Sequence, residues 1–269
     1  MKINYVQWPA MLEPDSPAFA QIAREVRASQ PDVLVTNEMP FGDWVWTVPS
    51  FDRAVAQRSV DLHGESTGLA ALRSLGVPIV ISSRPVWAGE HVSNEAFALV
   101  DGAYVTLHHK HYFPEEPGWF EATWFRTKAP GFEVHDLAGL RVGVLLCTEA
   151  MFNERARAYG RAGADLIVVP RAGGGAAPRW AAACAMAAVV SGAYVVSSNR
   201  VGLSLRGDAE FGGDGLAFGP DGSRLGITSA ATPMATLELS LNEAAAAKRG
   251  YPCYVSEALQ FAEAETGAK

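Results

Sequence analysis

The sequence predicts an α/β fold in which mixed sheets are covered by helices, and three observations carry that reading. Helix-spaced and strand-like segments alternate through both halves of the chain. Continuous β-branched runs such as residues 32–36 (DVLVT) are expected of strands buried on both faces. Asp101-Gly102 and Asp221-Gly222 signal hairpins, and antiparallel hairpins break the regular eightfold βα pattern of a barrel. An αβ sandwich therefore fits better.

The elements follow in order. Residues 2–7 form a short strand, and the spacing of Phe19, Ile22, Ala23 and Val26 predicts a helix over 16–30. After the strand 32–36, residues 66–75 read as a helix ended by Gly76 and 77–82 (VPIVIS) as the next strand. Strands over 95–100 and 104–108 flank the first hairpin turn. The second half repeats the rhythm, with strands at 140–146 (LRVGVLL), 165–169 and 193–198, and helices at 152–160 and 181–190. Segments 215–218 and 224–227 flank the second hairpin turn, and 231–239 is the last strand. No linker or solenoid repeat divides the chain, so residues 1–269 are expected to form a single domain.

Composition excludes several classes of protein. With 269 residues, 49% hydrophobic and 19% charged, the chain has ample apolar surface to offset the entropy of ordering, so it is not mainly disordered. The net charge is -7 and no basic stripe is present, which argues against a nucleic-acid partner. Cys147, Cys184 and Cys253 form no C-x-x-C pair and cannot all pair internally, so a reducing cytoplasm is the expected compartment. The start, MKINYVQWPAML, does not read as a secretory signal. Residues 180–196 carry Ser191 and Gly192 and fall short of the ~20 apolar residues of a membrane span; they read as a buried helix and strand.

Three side chains at strand exits could do chemistry. Cys147 ends LRVGVLL and opens a helix through EAMFNERARAYG, where the positive end of the helix dipole would lower a thiol's pKa. The competing reading is a buried structural thiol, which fits Cys184 better, and a core or surface position suits Cys253. Glu38 follows DVLVT directly, and a carboxylate there is costly unless a charge or hydrogen bond meets it; the alternative is a loop carboxylate in water. Lys110 lies in LHHKHYFPEEPGWFEATWF, whose aromatic content is unusual for a solvated loop and predicts the lining of a concave site. His108, His109 and His111 invite a metal reading. Adjacent strand positions face opposite ways and no further His/Cys cluster completes a tetrahedron, so no metal is expected.

Glutamate, lysine and cysteine, each at a strand's exit, together resemble the nitrilase superfamily of carbon–nitrogen hydrolases. VTNEMPFGD, HHKHYFPEEPGWFEATWF and GVLLCTEAMFNE carry the resemblance, and VSSNRVG, FGGDGLAFGPDG and AKRGYPCYV extend it over nearly the whole chain. The lysine segment is particularly similar to that of N-carbamoylputrescine amidases and other N-carbamoyl amidohydrolases, whose further glutamate matches Glu121. The resemblance implies a four-layer α-β-β-α sandwich, a Glu38–Lys110–Cys147 triad assisted by Glu121, and an oxyanion contact from the backbone N–H of Thr148. It also implies hydrolysis of a small amide or N-carbamoyl compound through a cysteine thioester, with no cofactor, in a homodimer or larger homo-oligomer. A true nitrilase, or a catalytically idle member of the fold, is the alternative.

Softer expectations concern the substrate. Arg171, after DLIVVP, could bind a carboxylate, or be a surface arginine in a glycine-rich turn. Trp119 could wall the pocket or simply pack. Trp44 and Trp46 read as core or interface. The branch has an aromatic or polar residue and then Asp after its cysteine, where this chain has Thr148 and Glu149. Glu149 reads as an early-helix carboxylate favoured by the dipole.

Overall fold

Strict alternation of side chains along short apolar strands builds two sheets that each bury both faces. The computed structural model describes residues 1–128, 131–175 and 177–256. One six-stranded sheet runs in the order Met234–Glu238, Lys2–Val6, Val33–Val35, Ile79–Ala88, His91–Val100, Ala103–His109. Its second to fourth strands are mutually parallel and the outer pairings antiparallel. The other six-stranded sheet runs Arg224–Ile227, Leu216–Phe218, Tyr194–Asn199, Leu166–Arg171, Leu140–Val144, His135–Leu137, again with three parallel strands at its centre.

Ile3, Val33, Val35, Ile79 and Ile81 of the first sheet pack with Val142, Val144, Leu166, Val168 and Val196 of the second, so the sheets lie face to face. The intervening residues point outward, as a period of two requires. Leu34 and Val80 meet Phe19, Ala23 and Val26 of the helix Pro17–Ser29. Ile167, Val169 and Val195 meet Cys184, Ala187 and Ala188 of the helix Ala177–Ser191, together with Ala156 and Tyr159 of Asn153–Arg161. The result is the four-layer α-β-β-α order that the resemblance implies.

Several elements differ from the sequence reading. The fourth strand of the first sheet, expected over 77–82, runs over Ile79–Ala88, because its whole length pairs with His91–Val100. Two helices were not anticipated. Arg53–Leu62 buries only the small side chains Ala56 and Ser59, with Val55 and Val60 half-buried beside them, and Leu241–Lys248 buries only Ala244, so neither has the large apolar residues that mark a core-facing helix. Among the described residues, no helix is long and apolar enough to cross a membrane.

Candidate active site

Chain segments leaving one end of both sheets converge on a shared buried site. Glu38 directly follows a pair of buried polar side chains, Thr36 and Asn37, and is itself fully buried. Its Oε1 accepts from Lys110 Nζ at 2.9 Å and from Asn94 Nδ2 at 2.7 Å. Its Oε2 accepts from the Ala172 N–H at 3.0 Å, which stitches it to the opposite sheet. A carboxylate taken out of water is thus met by a cation and two further donors, as burial demands.

Lys110 follows the strand Ala103–His109 and is also fully buried. Its ammonium bridges Glu38 and Glu121, with Nζ 2.6 Å from Glu121 Oε2. Burial alone would push its pKa down, but the carboxylates of Glu121 and Glu38 outweigh that and raise it above the ordinary lysine range, so the group stays cationic. Glu121 opens a single helical turn, Glu121–Trp124, after the strand Trp119–Phe120. Burial and the nearby Glu38 charge raise its pKa, with Lys110 opposing them. Its second oxygen, Oε1, is buried and has no hydrogen-bond partner among the described residues.

The structure corrects the expected state of Cys147. The cysteine opens only the 3-10 turn Cys147–Met151, with the α-helix Asn153–Arg161 starting later, so no aligned helix dipole acts on the sulfur. Burial, followed by the Glu38 charge, pushes the thiol pKa well above its ordinary value; Lys110 and the Ala172 N–H work the other way without prevailing. The resting group is a thiol among charged neighbours, and its attack needs a base. Its backbone φ is 50°, a left-handed conformation that a non-glycine residue rarely adopts.

Glu149 is a second correction. Far from being a solvated early-helix carboxylate, it is fully buried. Its Oε2 accepts from the Leu146 N–H at 2.8 Å and from His108 Nε2–H at 2.7 Å, and its Oε1 from the His111 N–H at 2.7 Å. The carboxylate therefore ties the turn of Cys147 to the residues flanking Lys110. Glu149→Gln would set an amide NH2 among three converging N–H donors and leave at least one of them unmet. It is expected to destabilise the protein by roughly 1–3 kcal/mol and to slow alkylation of Cys147, read by thermal melting and by iodoacetamide labelling.

His108 and His109 do face opposite ways, toward Glu149 and Glu95, but the chain leaves the strand after His109 and brings His111 back beside His108. His108 and His111 stack with ring centroids 5.5 Å apart. Ligand atoms of His108, His111 and Glu149 lie within 4.8 Å of one another, close enough to hold a metal ion. Both ring nitrogens of His108 are already engaged, Nε2 by Glu149 and Nδ1 by the Phe132 N–H at 3.2 Å, so the donor set serves as a hydrogen-bonded brace.

A cavity of about 470 Å³ opens over this site. Glu121, Cys147 and Thr148 line its inner end, and Trp119 and Trp180 line its sides. Trp119 is held by an Nε1–H bond to Ala172 O at 3.1 Å. Arg171 does not line it. Its buried guanidinium donates to Ser197 Oγ at 2.6 Å and to Asp214 O at 2.8 Å, and lies 4.7 Å from the centre of the Trp180 ring. Neither a carboxylate-binding nor a surface role fits a guanidinium tied up in that way; it supports the cavity wall. Trp44 and Trp46 are core, and Cys184 is fully buried, its thiol pKa pushed up to about 11 by burial.

Two residues of the site were missed. Asn94 orients Glu38, and its side chain is recognisable only once the antiparallel pairing places it opposite Lys110, whose N–H donates to Asn94 O at 2.9 Å. Arg200 is fully buried and has carbonyl oxygens around it in place of a carboxylate. It donates to Glu38 O at 3.2 Å, to Gly42 O at 2.9 Å and to Met39 O, fixing the turn that carries Glu38. VSSNRVG was noted for its resemblance, but nothing local in it reveals that reach.

The chain is similar to several known proteins. Residues 52–249 match the family model described as carbon-nitrogen hydrolase. The chain is 28% identical over 164 residues to N-carbamoylputrescine amidase of Solanum tuberosum, covering 56% of this chain and 55% of that protein, so it spans about half the length of that relative. It is 28% identical over 235 residues to a nitrilase of Pyrococcus abyssi, covering 85% of each. Among solved structures, a carbon-nitrogen hydrolase from Helicobacter pylori superposes with a TM-score of 0.83 at 18% identity over 94% of both chains. A variant of the amidase from Nesterenkonia sp. AN1, with acrylamide added at its active-site cysteine, superposes with a TM-score of 0.71 at 21% identity, covering 91% of this chain and 95% of that one. With about three-quarters of its length matched by the family model and the fold shared throughout, this chain belongs to the carbon-nitrogen hydrolase family.

Proposed function

We propose that the protein is a thiol hydrolase that cleaves the carbon–nitrogen bond of a small linear amide or N-carbamoyl compound through a thioester on Cys147, releasing ammonia. The observation that carries this reading is the Lys110 ammonium held between the Glu38 and Glu121 carboxylates, in the charged surroundings that also enclose Cys147. In this mechanism Glu38 takes the thiol proton as sulfur bonds to the carbonyl carbon. Lys110 Nζ and the Thr148 N–H donate to the oxygen as it becomes negative. The carbon–nitrogen bond then breaks, Glu38 passes its proton to the departing nitrogen, and ammonia leaves. Water activated by Glu38 attacks the thioester, and the carbon–sulfur bond breaks to restore the thiol.

The unpartnered Glu121 Oε1 favours amide and ureido groups, because both bring an N–H to satisfy a buried acceptor and a nitrile brings none. A nitrilase remains the second reading, favoured by the match over 85% of the Pyrococcus abyssi protein. Ammonia release from matched linear amides, N-carbamoyl amines, N-carbamoyl amino acids and nitriles tests the choice. Turnover of amide or carbamoyl substrates is expected, and turnover of nitriles alone would refute it. The wider reading takes the chain as one domain that works as a homodimer or larger homo-oligomer in the cytoplasm. The three free cysteines support the reducing compartment, and light scattering tests the assembly.

A further inference from the structure

We propose that the substrate bears a zwitterionic head group, carrying both an ammonium and a carboxylate, joined by a slender chain to the amide or ureido end that reacts. This rests on the hydrolytic reading of the cavity's inner end and adds the chemistry of its mouth.

The sides of the cavity are two indoles with bare backbone between them. A Cβ on Gly173 would come within 3.0 Å of the Trp180 ring, and one on Gly174 within 3.5 Å of the Trp119 ring. The glycine run therefore holds the slot open, and a thin methylene chain suits it. Each indole is accompanied at the mouth by an exposed charge, and the two charges are opposite. Glu116 is the register partner of Trp119 in the hairpin of Glu115–Glu116 and Trp119–Phe120. Directly paired residues project from the same face of an antiparallel ladder, so the Glu116 carboxylate stands beside the Trp119 indole. Arg179 precedes Trp180 in the helix Ala177–Ser191. Both charged side chains line the cavity.

Glu115 also lines the mouth but is committed to the hairpin, accepting from the Thr123 N–H at 3.0 Å and from its hydroxyl at 2.5 Å. That leaves Glu116 and Arg179 to meet a ligand. A purely anionic head would be drawn to Arg179 and repelled by Glu116, and a purely cationic one the reverse. Only a head with both charges gains from both. At the inner end the buried, unpartnered Glu121 Oε1 points independently to a ligand, since it lacks the N–H donor that a terminal amide or ureido group supplies. The site thus asks for an N–H donor within, a slim apolar span between indoles, and paired opposite charges outside.

The test uses four ω-amides of equal chain length at low ionic strength: the α-amino acid, its analogue lacking the ammonium, its analogue lacking the carboxylate, and the uncharged amide. For the full-length protein, kcat/KM from ammonia release should be highest for the α-amino acid, by roughly fivefold over either singly charged analogue, as partly screened charges allow. The difference should lie in KM. Glu116→Gln should bring the ratio of α-amino acid to ammonium-free analogue to about one, and Arg179→Gln should do the same for the carboxylate-free analogue. Comparable kcat/KM for all four amides would overturn the head-group proposal and leave the hydrolytic reading standing. Ammonia from none of the four would overturn both.

Discussion

Cys147→Ala should abolish ammonia release from every substrate that the wild type accepts, with kcat falling roughly 10⁵-fold, the scale seen when a covalent nucleophile is removed. Nothing else in the cavity can replace the sulfur, because Cys184 is buried behind it in the helical layer. The fold should survive, since alanine fills most of the space and the loss removes a thiol whose ionised form burial already disfavours. Stability within about 1 kcal/mol of wild type, together with persistent substrate binding, would separate lost chemistry from lost structure. Cys147→Ala with undiminished turnover would remove the thioester route altogether. Because burial and Glu38 keep the resting thiol protonated, alkylation by iodoacetamide should keep accelerating above pH 9 and show no plateau near neutrality.

Lys110→Met is the other large effect, and it should strike stability as well as rate. The methionine keeps the length of the side chain and removes the cation, leaving the buried Glu38 and Glu121 carboxylates without the ammonium that bridges them. Breaking a buried pair from one side is destabilising by roughly 3–5 kcal/mol. In a protein of this size that corresponds to a melting temperature about 10 °C lower. Pairing the change with Glu121→Gln removes one uncompensated carboxylate, so the double variant should be more stable than Lys110→Met alone, though equally inactive. The sign of the pH dependence follows from the raised lysine pKa. The stabilisation is fully present below the unfolded value of roughly 10.4 and is lost as pH rises through the higher folded value. Wild type should therefore lose this contribution only in strong alkali, and Lys110→Met should show no such loss; a melting temperature unchanged by Lys110→Met would refute the assignment.

What could be read in advance follows from where the information lies. Val33–Val35 and the first halves of Leu166–Arg171 and Tyr194–Asn199 are recognisable because burial on both faces leaves a continuous apolar run in the sequence. Glu38, Lys110 and Cys147 stand out because each interrupts or follows such a run with a side chain that burial penalises. Arg200 and Asn94 carry no such mark. Their importance lies in distant partners, the carbonyls around Glu38 for one and its carboxylate for the other, and a linear reading cannot supply those distances. Glu149 was misread for a related reason. The sequence after Cys147 reads as regular helix, whereas a tight turn points the carboxylate inward at Leu146 and His108. Arg171 shows the converse: its place at a strand's end suggests a ligand contact, whereas its buried guanidinium turns to Ser197 and Asp214.

The left-handed backbone at Cys147 sets an evolutionary tension. A side chain in that conformation is held against its own preference, by about 1–2 kcal/mol, and glycine alone would sit there at ease. Selection for thermal robustness would therefore favour erasing the very atom on which the proposed turnover depends, and only selection for activity would keep it in place.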